Sequence, residues 1–106
     1  MTKTTIHDGI LLDESVTYTL TELNEMSPLA PSVIIEMTEY GIIEPQGKVP
    51  EQWVFSSRSV IRFKKAMRLH QDLHINWAGI SLVLDLLDER ERLHQQLALL
   101  KHQIHE

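Results

Sequence analysis

The sequence predicts a mainly α-helical fold, in which a winged helix-turn-helix with a small two-stranded wing precedes a long C-terminal dimerisation helix. Three observations predict it: two short helical segments separated by prolines, an extended stretch interrupted by glycine and proline, and leucines at heptad spacing near the end. We therefore divide the chain into an N-terminal arm (1–16), a winged helix-turn-helix body (17–75) and a coiled-coil-like C-terminal helix (76–106).

The composition limits the classes of function. The 106 residues are 42% hydrophobic, which allows a modest core without disulfides or metal. Ten basic and 15 acidic residues give a net charge of −5, which argues against general DNA binding and against association with anionic membranes. The absence of cysteine excludes thiol nucleophiles and thiolate metal sites. Because no signal-peptide pattern or long apolar run is present, we expect a cytoplasmic protein.

The first helix and the turn after it are predicted from caps and breakers. The arm is polar apart from residues 10–12, and we interpret it as flexible or as a short edge strand. Thr19 and Glu22 have the spacing of a capping box, which predicts a helix start. Pro28 and Pro31 end that helix and place a turn at 27–31. From Ser32 apolar residues recur at helical spacing until Gly41, which is expected to form a left-handed C-cap.

The wing and the two longer helices follow. An extended segment at 42–45, a turn at 46–50 and a short strand at 52–55 predict the two strands of the wing. Ser56 or Ser57 is expected to cap a helix that continues to about Leu73. Asn76 is the expected N-cap of the last helix, from Trp77 to about His102.

The last helix carries more apolar surface than packing on its own body requires. Beside a short face suited to the body, a second row alternates spacings of three and four residues, as in a coiled coil. Arg90 interrupts this row. We predict dimerisation through it, with the alternative that the helix lies back over its own domain. The predicted dimerisation residues, here called the heptad face, are Val83, Leu86, Leu93, Leu97, Leu100 and Ile104.

The second helix occupies the position of the DNA-reading helix in a helix-turn-helix, but its charge does not suit DNA. Residues 32–40 include no base and carry Glu36 and Glu39, and residues 32–55 contain four acids against Lys48 alone, a net charge of −3. DNA affinity depends on phosphate contacts from basic residues, and sequence readout needs side chains that match base edges. These acids therefore indicate either a different partner or simply the solvated side of an amphipathic helix.

Two resemblances to known families offer an explanation for the acidic second helix. Residues 18–23 and 39–45 are similar to the MerR-type winged helix in the spacing of first helix, second helix and wing. The whole chain resembles more specifically the CbpM chaperone-modulator family, through its acidic second helix, residues 53–55 (WVF), and residues 77–80 (WAGI) before a leucine-rich end. The resemblance implies an adaptor that binds the J-domain of a CbpA-type DnaJ-like co-chaperone and inhibits its cooperation with DnaK by competition. Such J-domains present a basic helix to DnaK, which suits an acidic competitor.

A partner-binding surface is predicted on this basis. An acidic and apolar group lies on the second helix and wing, and a second acidic patch on the last helix ranks close behind it. Trp53 has the alternative role of a core anchor. The predicted partner-binding residues are Ile35, Glu36, Glu39, Glu44, Glu51, Trp53, Asp85 and Asp88.

The rival functions have weaker support. A MerR-like DNA-binding transcription regulator would use residues 57–73, where five bases oppose one acid, although those bases can equally pair with acids of neighbouring helices. His70 with His74, and His102 with His105, have helical metal-ligand spacing, but no third ligand completes a motif. We therefore expect no metal, no cofactor and no enzymatic activity.

Overall fold

The computed structural model describes residues 4–7, 10–13 and 15–104, with side chains from 15 to 103. Strands β1 (Thr4–His7) and β2 (Ile10–Asp13) form an antiparallel hairpin in which Thr4 lies opposite Asp13. The arm thus corresponds to the strand alternative of the prediction, with two strands in place of one. Strand β3 (Thr17–Thr19) follows and leads directly into the first helix.

The helix-turn-helix forms where its caps predict it. Helix α1 (Leu20–Glu25) begins with the capping box: the Thr19 hydroxyl accepts from the Glu22 amide at 3.1 Å, and the Glu22 carboxylate accepts from the Thr19 amide at 3.2 Å. Helix α2 (Pro31–Glu39) starts on a proline, one residue earlier than expected. It ends in a Schellman motif, with Gly41 at φ 72° and the Ile42 amide donating to the Met37 carbonyl at 2.9 Å. The left-handed cap at Gly41 is confirmed.

The two-stranded sheet of the body is present, but one of its strands is not the one predicted. Strand β4 (Val54–Ser56) pairs antiparallel with β3, and Tyr18 lies opposite Phe55. The predicted strand at 42–45 does not form, because Ile42 and Ile43 turn into the core and are buried. The wing is reduced to a single bridge between Gln46 and Val54, closed by two backbone hydrogen bonds of 2.9 Å. A 3₁₀ turn at Pro50–Gln52 returns the chain to β4.

Gly47 at the tip of this wing gives a first prediction. Its φ is 121°, and a Cβ atom there would lie 2.7 Å from the backbone oxygen of Gln52. Gly41 also has a positive φ, but nothing lies within 4 Å of its Cβ position. We expect Gly47→Ala to lower the free energy of unfolding by about 3 kcal/mol and Gly41→Ala by about 1 kcal/mol. Chemical denaturation checks both values, and equal losses would contradict the close approach at the wing.

The two long helices begin at the N-caps that the sequence predicts. Helix α3 (Ser57–Leu73) begins with the Ser56 hydroxyl accepting from the Ser59 amide at 3.2 Å, and it ends at His74 in the left-handed region. Helix α4 (Trp77–Ile104) begins with the Asn76 side-chain oxygen accepting from the Gly79 amide at 2.8 Å. Both predicted N-caps are confirmed.

A single buried cluster takes residues from every helix of the body. Leu23 lies on α1, and Phe55 on β4 lies among the buried residues of α2, α3 and the segment between them. Helix α4 contributes only its first two turns, and all its residues from 85 to 103 are exposed. The alternative that α4 lies back over its own domain is therefore not observed. The buried hydrophobic residues are Leu23, Ile34, Met37, Ile42, Ile43, Phe55, Val60, Phe63, Ala66, Trp77, Ile80 and Leu84.

Candidate functional site

The outward side of α2 carries the first group of predicted partner-binding residues. Ile34 and Met37 face the core, whereas Ile35 and Glu36 are half-buried and Glu39 is exposed. No basic residue lies in the last turn of α2, so Glu39 adds its charge to the negative end of the helix dipole. The result is a short acidic surface with an aliphatic side chain, Ile35, next to Glu36.

A hydrogen bond joins the end of this surface to α4. The Ser81 hydroxyl donates to the Tyr40 carbonyl at 2.7 Å, and Tyr40 itself is exposed. Asp85 lies one helical turn after Ser81 on α4, so the second acidic patch begins beside the C-terminal end of α2. The two patches that the sequence ranked separately therefore lie on adjacent elements. Sequence spacing offered no signal for this contact, because Tyr40 and Ser81 are 41 residues apart.

Arg62 of α3 lies between the same elements. Its Nε donates to the Ile42 carbonyl at 2.7 Å, one guanidinium nitrogen donates to Asp85 at 3.1 Å, and the other pairs with Asp88. One base of the positively charged helix is thus paired with acids of a neighbouring helix, as the second interpretation of that helix predicted. The Asp85 and Asp88 side chains remain 68% and 60% exposed, so a partner can still reach them.

The remaining predicted residues line two clefts. Glu44 and Asp85 line a cleft of about 450 Å³ together with Arg58 and Arg62, between the α2–β4 connection and the helices α3 and α4. Glu51 and Trp53 line a second cleft, of about 340 Å³, beside the start of α1.

The Trp53 side chain packs against the core and is also accessible from one side. Its ring is half-buried and stands edge-on to Phe55, with ring centroids 6.1 Å apart and planes at 83°. This geometry is favourable for aromatic pairs and anchors the wing to the core. The ring also borders the second cleft, where it is available to a partner.

The heptad face of α4 lies outside the body. Val83 is half-buried, whereas Leu86, Leu93, Leu97 and Leu100 are between 48% and 59% exposed. A shallow groove of about 400 Å³ runs along Leu86, Leu93 and Leu97, past Arg90 and His94. The side chain of Ile104 lies outside the described residues. These four leucines form an exposed apolar row on one face of a helix that projects from its body.

One ion pair on α4 stabilises the projecting part of the helix. Arg92 hydrogen-bonds Glu89 three residues earlier, and this bond lowers the pKa of the Glu89 carboxyl. The same bond raises the pKa of the Arg92 guanidinium. Because the folded pKa of Glu89 is depressed, the pair stabilises the helix above the unfolded pKa of Glu89, and this support is lost as the pH falls through the folded value. The pair lies within α4 and joins it to no other element.

Two further properties limit the chemistry of the described residues. Within them, no three His, Asp or Glu side chains approach one another closely enough to hold a metal ion. None of the helices in this part of the chain combines the length and apolar content needed to cross a bilayer.

The sequence matches a known family of regulatory proteins. A model of the MerR HTH family of regulatory proteins matches residues 18–102, so the chain belongs to the MerR class of helix-turn-helix proteins. It is 41% identical over 101 residues to the chaperone modulatory protein CbpM of Coxiella burnetii (strain Dugway 5J108-111). The matched region covers 95% of this chain and 94% of the relative. It is also 42% identical over 71 residues to CbpM of Pseudomonas entomophila (strain L48), across 67% of this chain and 70% of the relative. The chain therefore belongs to the CbpM family of chaperone modulatory proteins, and neither comparison indicates a catalytic family.

Proposed function

We propose that this protein is a chaperone modulator that binds the J-domain of a CbpA-type DnaJ-like co-chaperone and inhibits its cooperation with DnaK by competition. One observation carries the proposal: the exposed side of α2, where a DNA-binding relative would need bases, is acidic and continues onto acidic residues of α4 through the Ser81–Tyr40 hydrogen bond. The names of the relatives support the role of chaperone modulator.

The proposed mechanism is electrostatic attraction followed by steric exclusion. A basic J-domain helix that docks on Glu36, Glu39 and their acidic neighbours can no longer meet DnaK. Charge complementarity mainly sets the association rate and the choice of partner, and exposed pairs are screened by salt. Apolar contacts must therefore contribute much of the affinity. Ile35 and the open side of Trp53 are our candidates, because both are half-buried beside acidic residues.

The second part of the proposal is a homodimer formed through α4. The exposed leucines of the heptad face favour a second copy of the same helix, since each copy would cover the apolar face of the other. The acidic surface of α2 lies in the body, away from the projecting half of α4. A dimer would therefore present two acidic surfaces and hold two J-domains.

Calorimetric titration with the isolated J-domain of the cognate CbpA-type co-chaperone tests the proposed function. We expect saturable binding at one J-domain per subunit and an affinity that falls when the salt concentration rises from about 50 to 300 mM. A DnaK ATPase assay stimulated by the co-chaperone should show inhibition at the same protein concentrations. Absence of binding at both salt concentrations would reject the proposal.

The transcription-regulator alternative is separated by a second titration. A duplex of about 30 base pairs at low salt replaces the J-domain. We expect no saturable binding, because α2 has no basic residue for phosphates or base edges and Arg62 of the basic helix pairs with Asp85 and Asp88. Saturable duplex binding without J-domain binding would favour the regulator instead.

A further inference from the structure

We infer that Arg62 is a positioning residue that fixes the direction in which α4 leaves the body, and that Asp85 and Asp88 act through it. The inference does not depend on the identity of the partner. It rests on where the three hydrogen-bonding contacts of the Arg62 guanidinium lie: one on the backbone after α2, and two on α4 at the point where that helix loses contact with the core.

The apolar contacts of α4 end just before these two acids. Its buried residues are Trp77, Ile80 and Leu84, and every described residue from Asp85 onward is exposed. Non-directional apolar contacts and the Ser81–Tyr40 hydrogen bond hold the first two turns of α4 against the body, but none of these contacts extends beyond Leu84. Asp85 and Asp88 are the first acids of α4. They are three residues apart and lie on the same side of the helix.

The Arg62 side chain supplies the directional contacts that the core lacks at this point. A guanidinium is planar and presents its donors in a fixed fork, so it holds its acceptors in a defined relative orientation. Here the acceptors are the Ile42 carbonyl, fixed by the buried side chain of its own residue, and two carboxylates of α4. Arg62 therefore ties the exit of α4 to the segment that follows α2.

The length of the projecting helix magnifies any change at its base. The 20 residues from Asp85 to Ile104 extend about 30 Å at 1.5 Å per residue. A tilt of about 10° at the base therefore moves the far end by about 5 Å. In an assembly joined through α4, such a tilt would change the position of each α2 surface relative to the other.

Distances between two spin labels on the 106-residue chain test the inference. The chain has no cysteine, so Lys64→Cys on α3 and Leu99→Cys on α4 introduce two unique labelling sites at exposed positions. Labelled chains are diluted with an excess of unlabelled chains so that only distances within one chain contribute. We expect one narrow distribution for the wild type and a distribution broader by about 5 Å for Arg62→Gln.

Two further variants separate positioning from general destabilisation. Asp85→Asn with Asp88→Asn removes the same charge pairs from the α4 side and should broaden the distribution similarly, even if Arg62→Gln folds poorly. Arg62→Lys keeps the charge without the fork and should give an intermediate width. Arg92→Gln is the matched control, because it removes an arginine–carboxylate pair that lies within α4. A distribution as narrow as that of the wild type in both the Arg62→Gln and the double-Asn protein would overturn the inference.

Discussion

Replacing Glu36 and Glu39 together by lysine should weaken binding of the J-domain by about 100-fold. The change removes two acids from the proposed contact surface and places two positive charges opposite a basic helix. Exposed pairs contribute up to about 1 kcal/mol each, and reversal adds repulsion, so a loss of about 2–3 kcal/mol is expected at low salt. Calorimetry against the isolated J-domain measures it, and raising the salt concentration should shrink the difference.

The fold should survive this substitution. Ile34 and Met37 hold α2 in the core and are unchanged, while Glu39 is exposed and Glu36 only half-buried. The last turn of α2 contains no base, so a lysine at position 39 interacts favourably with the helix dipole. Lost binding would then report on the surface rather than on unfolding, and an unchanged thermal transition verifies this.

A charge-matched control distinguishes a local surface from net charge. Glu25→Lys with Asp72→Lys makes the same change in net charge at exposed positions in the last turns of α1 and α3. We expect this control to keep most of its affinity. Equal losses in the two double variants would mean that only overall charge matters, and full affinity in the Glu36/Glu39 variant would place the J-domain elsewhere.

The parts of the fold that depend on neighbouring residues were predictable from the sequence. The caps at Thr19, Gly41, Ser56 and Asn76 each depend on side chains or backbone angles within a few residues, and all four have the predicted geometry. The body-facing row of α4 was predicted to run from Ile80 to Leu87, but it ends one turn earlier: Ile80 and Leu84 are buried, whereas Leu87 is exposed.

The parts of the fold that depend on pairing between distant residues were not predictable from the sequence. The sequence predicted that the strand at 52–55 pairs with the nearer segment at 42–45. The observed partner is Thr17–Thr19, because burying Ile42 and Ile43 takes the nearer segment out of reach. β-pairing depends on such tertiary context more than on local propensity.

The candidate site shows the same division. Glu36 and Glu39 were recognisable because a helix without bases is visible in the sequence itself. Three hydrogen bonds connect the elements of the site, and each joins residues far apart in the sequence. The bond from Ser81 to Tyr40 spans 41 residues, and those from Arg62 to Asp85 and Asp88 span 23 and 26. They depend on how α3 and α4 pack, which periodicity alone does not specify. The charged groups are therefore recognisable in the sequence, whereas their partners within the fold are not.

Replacing Leu93 and Leu97 by glutamate should convert a dimer into monomers at micromolar concentration. Both side chains are about half exposed in the single chain and lie on the heptad face. A dimer would bury four of these leucines, each contributing at least about 1.5 kcal/mol. The four glutamates would also repel one another across the seam. We expect the dissociation constant to rise by more than about 10³-fold, which sedimentation equilibrium can measure directly.

Matched substitutions on the outer side of the same helix test whether this loss is specific. Ala98→Glu with Leu99→Glu adds the same charge at exposed positions away from the heptad face, so this variant should remain dimeric. Because glutamate is a good helix former, α4 should keep its helicity in both variants. The Leu93/Leu97 monomer should still bind one J-domain per chain through α2, since that surface lies in the body. A dimer that persists in the Leu93/Leu97 variant would move the contact between subunits from α4 to the body.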